Sequence, residues 1–73
     1  MKTTKVQAIV RLLSDRGGSA TWSDIYENIG KYRKGAKTSE FWKEGLRGVV
    51  YREIRAGRTF KFADKGIGII SLL

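Results

Sequence analysis

Between residues 31 and 37 the chain places four cations around one phenol, Lys31-Tyr32-Arg33-Lys34-Gly-Ala-Lys37. Flexible cations beside a hydroxyl suit phosphate oxygens, which demand charge without fixed base geometry. Lys31, Tyr32, Arg33, Lys34 and Lys37 are therefore candidate phosphate contacts; a solvated loop is the plain alternative. Thr38 and Ser39 follow at once, two hydroxyls placed to cap a helix and to offer its positive end to a phosphate. Lys43, Glu44 and Arg47 come next. An arginine fork matches the O6 and N7 acceptors of guanine, and a glutamate accepts from a cytosine amine. The same side chains also suit surface ion pairs, Glu40 with Lys43 and Glu44 with Arg47, worth about 0.2–0.5 kcal/mol each. Farther on, Arg58, Lys61 and Lys65 add three cations; Lys61 and Lys65 are candidate DNA contacts, with ordinary turn chemistry as the plain alternative for Lys65, while Arg52 and Arg55 are placed to complement a helix dipole.

Other chemistries lack their residues. There is no cysteine and no histidine, which removes the common zinc ligands, disulfides and the usual general base. Seven carboxylates are scattered along the chain, and only Glu40 and Glu44 stand at the i, i+4 spacing of one helical face. Lys43 and Arg47 beside them make ion pairing a simpler account than a divalent cation. No glycine-rich phosphate loop follows a strand. The expectation is a protein that is not an enzyme and takes no metal or cofactor. Its net charge is +8, and the excess is uneven. Residues 31–73 carry eleven basic against four acidic side chains, residues 1–30 four against three. A basic half joined to a near-neutral half is the footprint of a polyanion partner. The longest near-apolar run, Gly66 to Leu73, is too short for a bilayer. The amino terminus interrupts its apolar stretch with Arg11 and offers no small-residue cleavage site. An intracellular protein without membrane contact is expected.

The elements that must position these side chains follow from periodicity. With 73 residues, a single domain over 1–73 is expected. Thr3 or Thr4 caps a first helix with an apolar stripe of Val6, Ile9, Val10 and Leu13, and Gly17-Gly18 ends it. Ser19-Ala20-Thr21 is too short for an independent strand but can pair with a hairpin. Thr21 caps a second, two-turn helix carrying Trp22, Ile25, Tyr26 and Ile29, with Gly30 as its stop. Thr38 or Ser39 caps a third helix reaching about Arg55, with Trp42, Leu46, Val49 and Val50 in one arc. The period then becomes two: Phe60 and Phe62 face one way, Thr59 and Lys61 the other. Asp64-Lys65-Gly66 supplies a turn and Ile67–Leu72 a return strand, which puts Lys65 at the tip. Trp22, Tyr26, Trp42, Phe60 and Phe62 all fit apolar stripes and are expected in the core; Tyr32 and Tyr51 fall off them. Three helices followed by a carboxy-terminal β-hairpin predict an α+β winged helix-turn-helix, with the third helix offered to a DNA groove.

Two local sequences carry a likeness to a known group. The run Phe62-Ala-Asp-Lys-Gly66-Ile-Gly68-Ile-Ile70-Ser-Leu72 gives an aromatic, a Gly-x-Gly turn and an apolar-x-Leu ending, and Gly35-Ala-Lys37-Thr38 precedes the third helix. In these features the chain resembles the HARE-HTH winged-helix family from roughly Val6 to Leu72. It departs from the family's common proline after the first helix, having Gly17-Gly18-Ser19-Ala20 there. The resemblance implies a module that binds duplex DNA or senses modified DNA, of the kind fused to restriction enzymes and chromatin regulators. For a related domain in a bacterial RNA polymerase accessory subunit it implies a protein contact instead. Two functions therefore stand: double-stranded DNA binding, or protein interaction within a transcription or restriction assembly, in either case with a larger parent protein or protein partner allowed. The basic face favours the first. Single-strand or RNA binding ranks third, because the aromatics are expected to be buried.

Overall fold

Thr4 starts the first helix with a capping box: its hydroxyl accepts from the Gln7 amide at 3.1 Å, and the Gln7 side chain accepts from the Thr4 amide at 3.0 Å. The computed structural model describes residues 4–73, so the alternative cap, Thr3, lies outside the described residues. Helix α1 (Lys5–Asp15) buries Ala8, Ile9, Leu12 and Leu13 completely. Val6 and Val10, expected in the stripe, flank it half-buried. The buried face is thus rotated toward Ala8 and Leu12. The turn that follows closes with the Gly18 amide donating to the Leu13 carbonyl at 2.8 Å.

Strand β1 (Ser19–Thr21) persists only by pairing with β3 (Ile69–Leu72), which pairs in turn with β2 (Phe60–Asp64). The sheet is antiparallel with order β1-β3-β2. Its register sets Ala20 and Phe62 opposite Ile70, on the face toward the helices, and Ser19 and Lys61 opposite Ser71, on the other. The chain is therefore α+β, three helices packed on a three-stranded antiparallel sheet. No helix among the described residues is long and apolar enough to cross a membrane.

Helix α2 (Trp22–Tyr32) is capped by Thr21, whose hydroxyl accepts from the Asp24 amide at 3.2 Å. It runs through Gly30 instead of stopping there. Glycine inside a helix costs about 1 kcal/mol, but Ile25 and Ile29 are fully buried and Tyr32 packs on the same core. Packing decides over propensity. Helix α3 (Trp42–Arg55) begins later than its expected caps. Thr38 donates its hydroxyl to the Gly35 carbonyl at 2.8 Å, and the Ser39 hydroxyl accepts from the Phe41 amide at 3.4 Å, so both are used in the preceding turns. Glu40 consequently precedes the helix. Of the two expected ion pairs only Glu44–Arg47 forms among the described residues, at 3.7 Å.

The end of α3 aims the hairpin. Gly57, at φ +71°, donates to the Ile54 carbonyl at 3.0 Å, and the Arg58 amide donates to the Glu53 carbonyl at 2.8 Å. This double closure requires a left-handed residue, which glycine adopts without penalty. Thr59 then takes φ +59° without that freedom. Its hydroxyl donates to the Glu53 carboxylate at 2.9 Å, and the Arg58 guanidinium donates to the same carboxylate at 2.6 Å. Glu53 is buried on the inner side of α3, a position not foreseen from sequence. The bonds from Arg58 and then Thr59 hold its carboxyl below the ordinary 4.5.

Beyond this clamp Phe60 is buried and Phe62 is only half-buried. One residue, Ala63, bulges out of the β2–β3 pairing. Asp64 then accepts from the Ile67 amide at 3.1 Å and, through its carbonyl, from the Gly68 amide at 2.8 Å. These bonds place Ile67 and Gly68 in the turn, so the return strand begins at Ile69, two residues later than expected.

Two outcomes follow for chemical and thermal denaturation. Phe60→Ala loses about 3–5 kcal/mol, the range for truncating a buried aromatic, and Phe62→Ala loses less. For Glu53, a folded-state pKa below 4.5 contributes stability that is complete above pH 4.5 and disappears as pH falls through the lowered value. The melting temperature of Glu53→Gln should therefore lie below that of the parent at neutral pH, and the gap should close below pH 4.5.

Candidate nucleic-acid interface

Trp22 and Tyr26 stand one turn apart on α2, and Lys43, Arg47 and Tyr51 stand one turn apart on α3. Spacing of four residues aligns each set along one helix edge, and the two edges meet. Tyr51 lies edge-on to Trp22 at 6.1 Å between ring centroids, and Trp22 stacks on Tyr26 at 5.7 Å. Trp42 extends this series at one end, 5.7 Å from Tyr26, and Phe62 at the other, 5.8 Å from Tyr51. Five rings from two helices and a strand thus form one continuous ribbon. Burial pushes the Tyr26 hydroxyl above its usual pKa, against the opposing pull of Arg47.

Cations line the ribbon. The Lys43 ammonium lies 5.3 Å from the Tyr26 ring and 5.6 Å from Trp42, and the Lys37 ammonium lies 5.3 Å from Trp42. Exposed contacts of this kind are worth about 0.5–1 kcal/mol each. At the other end, Trp22, Tyr51 and Phe62 face the Lys65–Gly68 turn across a cleft of about 470 Å3. Gly68 lines it at φ +85°; a Cβ there would lie 3.0 Å from the Trp22 indole. The Trp22 amide donates to the Gly68 carbonyl at 3.3 Å, which ties the start of α2 to the hairpin.

Of the aromatics expected in the core, Phe60 alone is fully buried. Trp22, Tyr26, Trp42 and Phe62 pack against the core and stay partly exposed, and Tyr51 is 42% exposed. The domain is too small to enclose five large rings as well as its aliphatic center. Tyr51 carried the one available signal in the sequence: it falls off the apolar stripe of α3, yet stands four residues after Arg47 and eight after Lys43.

The remaining expected residues separate. Lys37, Lys43, Arg47 and Lys65 gather around the ribbon. Lys31 is exposed in the last turn of α2, Arg33 follows that helix, and Lys34, Thr38 and Ser39 are exposed in the connection to α3. Tyr32 is not a loop residue: it ends α2 half-buried and donates its hydroxyl to the Asp15 carboxylate at 2.6 Å, the main cause of its raised pKa. Lys61 projects from the sheet face opposite Phe60 and Phe62, apart from the α3 cations. No cluster of three or more metal-ligating side chains occurs among the described residues. Comparison with known proteins gives no matching family model, no matching curated protein and no matching solved structure.

Gly68→Ala tests how the cleft is built. A side chain at positive φ costs about 1–2 kcal/mol, and here it also presses on the Trp22 indole. The variant should melt lower and shift tryptophan fluorescence, whereas Gly66→Ala, whose Cβ would meet only the Asp64 carboxylate at 3.5 Å, should change both far less.

Proposed function

We propose that the chain is a winged helix-turn-helix domain of the HARE-HTH kind that binds double-stranded DNA, with α3 in a groove and the basic connection and hairpin tip on phosphates. The observation that carries this reading is the distribution of charge. Helix α3 exposes Lys43, Arg47, Arg52 and Arg55, and the flanking segments expose Lys31, Lys34, Lys37 and Lys65. Clustering of that sign on one helix and its neighbors is the electrostatic signature of a nucleic-acid partner. The order of elements supports the same reading, since two helices, a third helix and a hairpin succeed one another as winged-helix docking requires.

Arg47 is the base-reading residue. Its present partner, Glu44 at 3.7 Å, is an exposed pair of about 0.2–0.5 kcal/mol. A bidentate guanine contact discriminates by about 1–3 kcal/mol. The stronger interaction decides, and Arg47 leaves Glu44 for a base edge. Lys31, Arg33 and Lys34 position the duplex through phosphates and read no sequence.

Electrophoretic titration at several salt concentrations tests the proposal. With about five phosphates engaged, log K against log salt should fall with a slope of roughly −4 to −5; a flat slope would favor a protein partner instead. Replacing Lys31, Arg33 and Lys34 together by Ala should weaken all duplexes alike and make the slope shallower. Arg47→Ala should narrow the gap between preferred and random sequences by about 1–3 kcal/mol. Identical behavior of the two variants would contradict the assignment of base reading to α3.

A further inference from the structure

We propose that the cleft at the hairpin end of the aromatic ribbon is a subsite for an unpaired DNA base, so that the domain prefers duplex carrying a single-stranded extension. The inference rests on the duplex reading for its choice of DNA, and on separate observations for its site. Trp22, Tyr51 and Phe62 surround the cleft with three aromatic side chains, and Lys65 stands at its edge. Ile67, 70% exposed, forms an apolar lip. A base presents two apolar π faces and brings its own phosphate. Rings for the first and an ammonium for the second are what this cleft supplies together. An acidic peptide would match the cations and leave the rings without a counterpart; an apolar peptide would do the reverse.

The ribbon continues the site beyond one base. Lys43 and Lys37 cover Tyr26 and Trp42 through contacts worth roughly 2- to 5-fold in an equilibrium. Stacking one base on an aromatic side chain is worth roughly 5- to 150-fold. The lysines therefore yield the ring surfaces and transfer to the phosphates of the same strand. Tyr51 is the hinge of this arrangement, because it touches Trp22 and Phe62 at once and is the most exposed of the five rings.

Both tryptophans of the chain belong to the ribbon, so intrinsic fluorescence reports on it directly. The experiment compares three probes at one salt concentration: a blunt duplex, the same duplex with a dT tail, and the same duplex with an abasic tail of equal length. The abasic tail carries the phosphates without the bases. The dT tail should bind roughly 5- to 150-fold more tightly than the abasic tail and should quench tryptophan emission. Tyr51→Leu, which keeps apolar bulk and the fold as monitored by thermal melting, should erase that ratio, and Tyr51→Phe should retain it. Equal affinity for the two tails without quenching would overturn the subsite and leave duplex binding standing. Absence of binding to every probe, blunt duplex included, would overturn both.

Discussion

A single carboxylate fixes how the two halves of this molecule meet. Glu53 faces inward from the last turns of α3 and accepts hydrogen bonds from Arg58 at 2.6 Å and Thr59 at 2.9 Å. Those two residues end the four-residue link to β2, and Thr59 holds a left-handed conformation that a threonine does not adopt without help. Charge-assisted hydrogen bonds into a poorly solvated site are the strong class, so the link is held in one geometry. That geometry sets Phe60 into the core and carries Phe62 alongside Tyr51. Without it the cleft would have no second wall.

The second constraint is size. A chain of 73 residues encloses only a small interior, filled here by the aliphatic side chains of α1, Ile25 and Ile29 of α2, Leu46 and Val50 of α3, Phe60 and Ile70. The other large aromatics are pressed to the rim, where they seal the core on one side and meet solvent on the other. Stability and surface chemistry are thereby served by the same residues. A ring that packs on the core with one side also presents ring surface at the rim, and the cations beside it stand at exposed positions on α3, the connection before it and the hairpin turn.

Much of the architecture was legible in the sequence because its signals are local. The caps at Thr4 and Thr21, the glycine closure after α1, and the switch to period two at Phe60 each depend on neighbors a few residues away. The pairing of Ser19–Thr21 with the distant hairpin strand was legible for another reason: an extended run of three residues is too short to stand without a partner strand. What failed were boundaries decided by distant packing. Helix α2 continues past Gly30 because Tyr32 finds the core and Asp15, seventeen residues away. Helix α3 starts late because Thr38 and Ser39 satisfy nearby turns. The burial of Glu53 was invisible because its partners lie beyond the helix end, and a helical pattern alone marks a carboxylate as exposed. The aromatic ribbon was hidden by the same logic: stripes distinguish inside from outside and have no symbol for the rim.

The face proposed to meet duplex DNA is built from the Lys43–Arg47 edge of α3 and the hairpin tip. Backbone amide chemical-shift mapping during titration with a short duplex tests it most directly. Shifts should concentrate at residues 31–47 and at the Lys65–Gly68 turn, while the exposed side of α1 around Arg11 and the outer sheet face at Lys61 stay unperturbed. Shifts centered on α1 or the outer sheet face, or no shifts at all, would contradict it.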